Sequence, residues 1–264
     1  IAVEEQGHGR TADRDAPVRF ESSADDVAAL LRFLKVEEAD LFGFSNGASV
    51  ALQVAIRHPR LVNKLVFASS MTRRDGAHPQ LWEFMKQADF SNMPQPLKDA
   101  FLRVNPDAQQ LRRMHDKDAK RMQSFNDVPD ELIRSVRVPT LIVLGDRDIV
   151  KPEHAIELTA LIAGARLLIV PGGHGDYLAS TFGAWTVGSG GIPRSVLWRR
   201  RHTEVSVGSG LHAPGQLTSL PVRGSLHVVQ LGVATLLGHE RGMRTGFNNP
   251  GVVHHNDHVR HADR

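Results

Sequence analysis

The chain has 264 residues, of which 41% are apolar and 23% charged, a composition typical of a folded globular protein. It argues against disorder along the whole length, and no apolar run approaches the roughly 18 residues of a membrane-spanning helix. The formal net charge is +3, and the absence of cysteine excludes disulfides, a thiolate nucleophile and a cysteine-based metal site. Residues 1–5 have neither the basic nor the apolar region of a signal peptide, so we expect a cytoplasmic protein.

The positive charge is concentrated in the last third of the chain. Residues 1–180 carry 23 basic and 25 acidic side chains, whereas residues 181–264 carry nine arginines, no lysine and four acids. The second segment also holds 8 of the 14 histidines and 13 of the 23 glycines. The chain therefore consists of two segments of different composition that meet near residue 180. The net charge of +3 does not indicate a nucleic-acid or membrane partner for residues 1–180.

Residues 1–180 alternate strand and helix patterns, which favours a mostly parallel sheet flanked by helices, an α/β fold. The predicted strands are apolar on both faces, as strands covered by helices on each side must be. They are Ile1–Val3, Ala39–Gly43, Leu65–Ala68, Thr140–Leu144 and Leu167–Val170. The first predicted helix begins at Ser23, with Asp26 completing a capping box and with Val27, Leu30, Leu31 and Leu34 on one face. Two more helices are predicted over Asn46–His58 and Pro152–Ala163.

Between two of these strands the pattern becomes entirely helical. We predict helices over Leu81–Phe90, Leu97–Val104, Asp107–Phe125 and Asp130–Val136, which would form a lid over the carboxyl edge of the sheet. Four of the six methionines lie within residues 81–125, namely Met85, Met93, Met114 and Met122. Flexible methionine side chains suit a variable apolar pocket, and they equally suit packing of a lid onto the body.

A G-x-S-x-G motif, Gly43–Gly47, stands between a predicted strand and a predicted helix. A sharp strand-to-helix turn projects the Ser45 hydroxyl above the sheet, and the two glycines allow close approach of backbone and helix. The Asn46 amide would lie at a helix N-terminus, where it can donate to a developing oxyanion. Phe44 would either line the pocket or pack under this turn.

A serine hydroxyl needs a base, and the base needs an orienting carboxylate. Asp146 and Asp148 follow the strand Thr140–Leu144, and His174 follows the strand Leu167–Val170. The carboxyl ends of parallel strands assemble sites in open α/β sheets, and the order Ser, Asp, His is the order of one such fold. These residues therefore predict a Ser-His-Asp triad.

Residues 1–179 resemble the α/β-hydrolase fold family, in its lidded branch of esterases, peroxidase-like enzymes and C–C-bond hydrolases. The resemblance rests on Gly-His-Gly-Arg-Thr at 7–11, Gly-Phe-Ser-Asn-Gly at 43–47, the segment 138–148 and Gly-Gly-His-Gly-Asp-Tyr at 172–177. It implies Ser45 as nucleophile, His174 as base and Asp148, rather than Asp146, as acid. It also implies a core at 1–70 and 138–179, a helical lid at 71–137 and an atypical tail at 180–264.

The sequence departs from the family pattern at both ends. The chain begins at what resembles the family's fourth strand, so it is expected to be truncated and to lack the loop that supplies a second oxyanion amide. No amphipathic helix is predicted after Tyr177, where the family has one.

The tail allows three interpretations. His254, His258 and His261 would share one face of a helix and could bind a metal, although adventitious binding is the simpler explanation. The cluster Trp198–His202 could contact phosphates. The composition, without lysine or sustained periodicity beyond Leu226–Leu237, favours a third hypothesis, a disordered or off-frame segment.

The sequence thus predicts a serine hydrolase that acts on an ester or related acyl bond of a small molecule and needs no metal or organic cofactor. An acyltransferase, a C–C-bond hydrolase and a catalytically impaired ligand-binding fragment remain alternatives. His8 is expected to be structural, and His115 to be a solvated surface residue of the lid.

Overall fold

A computed structural model describes residues 1–178 and one further strand, Val228–Gly232. Within these residues five parallel strands form a single sheet in the order β4-β3-β2-β1-β5. The strands are β1 (Ala39–Phe44), β2 (Val62–Ala68), β3 (Thr140–Gly145), β4 (Arg166–Val170) and β5 (Val228–Gly232). The predicted mostly parallel sheet flanked by helices is confirmed.

Residues 176–178 are helical, and seven further helices lie wholly within the described residues. They are α1 (Phe20–Phe33), α2 (Asn46–Arg57), α3 (Pro79–Lys86), α4 (Gln95–Val104), α5 (Ala108–Gln123), α6 (Asp130–Arg134) and α7 (Pro152–Leu161). Three single turns of 3₁₀-helix stand at Pro59–Leu61, Arg74–Gly76 and Phe90–Asn92. None of the helices within residues 1–178 combines the length and the apolar character that crossing a membrane requires.

The strand register brings the carboxyl ends of the strands to one edge of the sheet. Phe44 at the end of β1 pairs with Ala68 at the end of β2, and Ala68 pairs with Val143 of β3. Gly145 at the end of β3 pairs with Val170 at the end of β4. Residues that directly follow these four strands are therefore neighbours in space, as the sequence predicted.

The main core lies between the sheet and the helices α1, α2 and α7. Its largest fully buried side chains include Leu31 of α1, Phe67 of β2 and Leu158 of α7. β4 was expected to be buried on both faces, and this is wrong for two of its residues: Leu168 and Ile169 are 46% and 41% exposed. β4 is an edge strand, and among the described helices α7 packs against it.

Between β2 and β3 the chain forms α3 to α6 and one isolated β-bridge, at Ala77. We call residues 71–137 the helical insertion. One apolar cluster, with Leu81, Trp82 and Phe125, joins it to Ile149 and Val150 of the body. A second cluster, centred on Met114 and Phe101, lies within the insertion itself. The insertion is therefore a packed unit anchored beside the carboxyl edge of β3.

Three further sequence predictions in this part of the chain differ from the structure. Helix α1 begins at Phe20 rather than after Ser23, because Ser22 and not Asp26 closes its N-terminus by accepting from the Arg19 amide, at 3.2 Å. Leu34 is outside the helix and 44% exposed. Residues 1–3 form no strand and contribute only a bridge residue, Ala2.

The tail predictions fall mostly outside the described residues. This holds for His254, His258, His261, the cluster Trp198–His202 and the segment that follows residue 178. The one described part, β5, pairs in parallel with β1, with Val228 opposite Asp40 and Gly232 opposite Phe44.

Candidate active site

Ser45 occupies the sharp turn between β1 and α2. Its backbone has φ 53° and ψ −124°, which is unusual for a residue with a side chain and marks local strain. The Ser45 amide donates to the Ala68 carbonyl at 2.8 Å, and its carbonyl accepts from the Ala48 amide at 2.9 Å. The turn is therefore fixed to the end of β2 and to the first turn of α2, with the half-buried Ser45 side chain above the sheet.

Gly43 permits the close packing that this turn requires. A Cβ atom at Gly43 would lie 2.4 Å from the Gly47 carbonyl oxygen and 2.5 Å from the Ala48 Cα atom. Both are backbone atoms of α2, so a side chain at position 43 would push the helix away from β1. Asn46 is the first residue of α2, and its amide therefore belongs to the helix N-terminus beside Ser45.

The structure brings Ser45, His174 and Asp148 together in one line of hydrogen bonds. His174 Nε2 lies 3.1 Å from Ser45 Oγ, and His174 Nδ1 lies 2.8 Å from Asp148 Oδ1. A carboxylate oxygen only accepts, so Nδ1 carries the proton and Nε2 of the neutral ring is free to accept from the serine hydroxyl. This is the arrangement in which an imidazole can take the proton of an attacking serine.

Asp148 is completely enclosed, with a side-chain exposure of 0%. Burial alone would raise the pKa of this carboxyl group. The hydrogen bond from His174 and the charge of His174, together with hydrogen bonds from the Ser69 hydroxyl and the Gly145 amide, outweigh burial and lower the pKa. Asp148 is therefore held as a carboxylate beside His174.

Asp146, the competing acid, serves a different purpose. Its Oδ1 atom accepts from the Gly172 amide at 2.8 Å, and its side chain is 53% exposed. It thereby ties the turn after β3 to the turn after β4 without contacting the His174 ring. In the structure Asp148, not Asp146, is the hydrogen-bond partner of His174.

Phe44 was predicted either to line the pocket or to pack under the turn at Ser45. In the structure it packs beneath the site. The side chain is 5% exposed, and its ring centroid lies 4.9 Å from that of His174. A Cβ atom at Gly175, which has φ 86°, would lie 2.7 Å from the Phe44 ring. Gly175 thus lets the His174 loop rest directly on Phe44.

An open cavity of about 700 Å³, including its mouth, lies between the helical insertion and Asn46. Four of the five methionines of the insertion line it: Met85, Met93, Met114 and Met122. Three of the four are also buried in the apolar clusters of the insertion, so these residues both pack and line the cavity. A second, smaller cavity contains Ser45 itself and shares Asn46, Met85 and Met122 with the first.

A buried ionic cluster connects the turn at 7–11 with α5 next to the larger cavity. His8 Nε2 lies 2.9 Å from Asp118 Oδ2, and Arg121, 2% exposed, lies 2.9 Å from both Glu5 and Asp118. Burial lowers the pKa of His8, but the charge of Asp118, its hydrogen bond to His8, and Glu5 outweigh burial and raise the pKa to about 9. His8 is thus a structural residue, as expected.

His115 was predicted to be a solvated surface residue, and this prediction is wrong. Its side chain is only 14% exposed, its ring packs edge-on against Phe90 with centroids 5.5 Å apart, and it lines the larger cavity. The turn Phe90–Asn92 covers a helix face that the sequence pattern of α5 leaves polar.

Sequence reasoning missed two residues that contact the site. Ser69, the residue after β2, donates through its hydroxyl to Asp148 Oδ2, and Tyr177 Oη lies 2.6 Å from Ser69 Oγ. Ser69 could have been found from the sequence, because it directly follows a predicted strand, as Ser45 does. Within residues 1–178 and 228–232, no three His, Asp or Glu side chains are grouped as metal ligands would be.

Comparison with known proteins places the chain in a family. The sequence model of the alpha/beta hydrolase family matches residues 6–182. The chain belongs to this family. Human serine hydrolase BPHL is 27% identical over 175 residues, which cover 63% of this chain and 59% of that protein.

Two further similarities come from bacteria. The pimeloyl-[acyl-carrier protein] methyl ester esterase of Neisseria meningitidis serogroup C is 27% identical, over 64% of this chain and 73% of that protein. The solved structure of an esterase from Exiguobacterium antarcticum superposes with a TM-score of 0.51 at 25% identity, covering 67% of this chain and 74% of that one. The chain thus spans somewhat less than two thirds of the human relative's length and about three quarters of the bacterial ones.

Proposed function

We propose that the protein is a serine hydrolase that cleaves an ester or related acyl bond of a small molecule. The observation that carries this proposal is the hydrogen-bonded line from Ser45 through His174 to the buried Asp148, next to a cavity that contains Ser45 and shares Asn46 with the larger cavity. The family, and relatives that are named serine hydrolase and esterase, support the same chemistry.

In the proposed mechanism Ser45 Oγ attacks the acyl carbonyl carbon while His174 Nε2 takes the serine proton. Asp148 keeps the His174 proton on Nδ1 and stabilises the imidazolium that forms. The oxyanion of the tetrahedral intermediate accepts from the Asn46 amide at the N-terminus of α2. His174 returns the proton to the leaving alcohol, and a water molecule activated by His174 then releases the acyl group from Ser45.

The helical insertion acts in this proposal as the lid, and it defines which substrates fit. Most of the cavity wall is apolar, and several of its polar side chains already have protein partners. Asp89 accepts from the Ser91 amide at 2.9 Å, Asn92 donates to the Gln87 carbonyl at 2.8 Å, and Asp118 pairs with His8. Because two carboxylates, Asp89 and Asp118, lie in the wall, an uncharged apolar group suits this cavity better than an anionic one.

Steady-state hydrolysis of p-nitrophenyl butyrate tests the proposal. We expect turnover that is lost in Ser45→Ala and His174→Ala, while both variants keep the circular dichroism spectrum of the original protein. Folded protein without Ser45-dependent turnover would favour the ligand-binding alternative. Faster transfer of the butyryl group to an added alcohol or thiol than to water would favour the acyltransferase. For the whole protein we propose the cytoplasm as its location, on composition alone.

A further inference from the structure

Ser69 is the residue that directly follows β2, and its backbone is held in an uncommon conformation. Its φ angle is 50°, in the left-handed region that residues with a side chain rarely adopt. The Ser69 amide donates to the Val143 carbonyl of β3 at 2.7 Å. The hydroxyl is therefore fixed over the end of β3, next to the turn that carries Asp148, and the side chain is 2% exposed.

The hydrogen bonds around Asp148 show what the Ser69 hydroxyl contributes. Asp148 Oδ1 accepts from His174 Nδ1 at 2.8 Å and from the Val150 amide at 3.3 Å. Oδ2 accepts from the Gly145 amide at 3.2 Å and from the Ser69 hydroxyl. A carboxylate offers about four acceptor directions, and here each is used. Because the Asp148 side chain is enclosed, solvent does not reach its carboxylate in the folded protein, and the Ser69 hydroxyl is one of its four donors.

The direction of the next hydrogen bond follows from proton counting. The single hydroxyl proton of Ser69 is used on Asp148, which can only accept. Tyr177, whose Oη atom lies 2.6 Å from Ser69 Oγ, must therefore be the donor of that hydrogen bond. Tyr177 stands three residues after His174, so this segment is attached to Asp148 directly by His174 and indirectly through Tyr177 and Ser69.

We propose that Ser69 is a positioning residue of the hydrolase site: held by Tyr177, its hydroxyl fixes the Asp148 carboxylate in the orientation that receives the His174 proton. The inference rests on the proposed function for its effect on turnover. Its structural half, the orientation of Asp148 toward His174, does not depend on turnover.

Ser69→Ala and Ser69→Gly, assayed with p-nitrophenyl butyrate, test the proposal. Glycine accepts a positive φ without strain, so the two variants share the loss of the hydroxyl and differ in backbone effects. We expect both to lower kcat by about tenfold to a hundredfold with KM within about twofold, because a hydrogen bond to a buried charge is lost.

Ser23→Ala is the matched control. Ser23 is 4% exposed and also donates to a carboxylate, that of Glu5, at 2.7 Å, but it lies on α1 outside the proposed site. It should lose stability and keep kcat. Tyr177→Phe keeps the bond between Ser69 and Asp148, and its kcat should lie between those of the original protein and Ser69→Ala.

A readout without turnover separates this proposal from the proposed function. The proton between His174 Nδ1 and Asp148 should give a low-field ¹H NMR signal, identified by its loss in His174→Ala, and both Ser69 variants should shift it. A shifted signal in a protein without Ser45-dependent turnover would support the positioning role and refute the hydrolase. Unchanged kcat and an unchanged signal in both Ser69 variants would overturn the positioning role, as would an equal loss of kcat in Ser23→Ala.

Discussion

Protonation of His8 should make the unfolding free energy depend on pH in a predictable way. His8 Nδ1 lies 3.0 Å from the Gln6 carbonyl oxygen, and Nε2 lies 2.9 Å from Asp118 Oδ2. Both partners only accept, so both ring nitrogens carry protons and the folded chain holds His8 as an imidazolium. With Arg121 it balances the charges of Glu5 and Asp118 in a buried cluster.

The magnitude follows from the two pKa values of this histidine. The pKa is about 9 in the folded chain and 6.5 in the unfolded one. Below pH 6.5 His8 is protonated in both states and its full stabilisation is present. Between pH 6.5 and 9 the unfolded chain loses the proton first, so the stabilisation falls, and above pH 9 it is lost. The difference corresponds to about 3 kcal/mol of unfolding free energy.

Urea unfolding followed by circular dichroism, at pH values from 6.0 to 9.5, measures this contribution. The original protein should lose about 3 kcal/mol more across this range than His8→Gln, whose side chain does not titrate. His78→Gln, which removes a histidine outside this ionic cluster, should keep the slope of the original protein. Equal slopes for the original protein and His8→Gln would refute the assignment of His8 as a buried cation.

Three further predictions concern the proposed hydrolase site. Asp148→Asn should lower kcat/KM by about a thousandfold or more, because an amide at position 148 favours the wrong tautomer of His174. Asp146→Asn should keep kcat/KM within about threefold of the original protein. Equal losses in the two variants would contradict the choice of Asp148 as the acid. Gly43→Ala should lower the urea midpoint and abolish turnover, because its methyl group meets the backbone of α2; a stable, active variant would contradict the packing at the turn. Each methylene added to the acyl chain should raise kcat/KM about fourfold until the cavity is filled, and Ala119→Leu should end that gain at a shorter chain; no dependence on length in either protein would exclude this cavity as the acyl site.

The sequence predicted three of the strands closely, whereas the strand predicted at residues 1–3 does not form and β2 begins three residues earlier than predicted. β1, β3 and β4 each extend only one residue beyond the predicted range. Ser45, Asp148 and His174 are brought together because each follows a strand in a parallel sheet, and a parallel sheet gathers such residues at one edge. The predicted strand-helix alternation was enough to place Ser45, His174 and the pair Asp146 and Asp148 at this edge, and the choice of Asp148 over Asp146 came from the family resemblance.

Other features could not be predicted, because they depend on contacts between distant segments. The ion pair between His8 and Asp118 joins residues 110 positions apart, and no local pattern indicates it. The burial of His115 depends on the turn Phe90–Asn92 folding over α5. The residues of β4 are as apolar as those of β3, and their exposure follows from the position of β4 at the edge of the sheet.

Ser69 illustrates the difference between a position and a role. Its place directly after β2 was visible in the sequence, but serine is common in turns. Its hydroxyl has a specific role only because Asp148 lies enclosed beside it, and that is a property of the folded site.

Covalent labelling of the nucleophile tests the central claim most directly. The folded protein is treated with a fluorophosphonate at pH 7.5, and peptide mass spectrometry locates the adduct. We expect an adduct on Ser45 that is absent in Ser45→Ala and forms much more slowly in His174→Ala. A folded protein that gives no adduct, or an adduct on another residue, would contradict the assignment of Ser45, His174 and Asp148 as the catalytic triad.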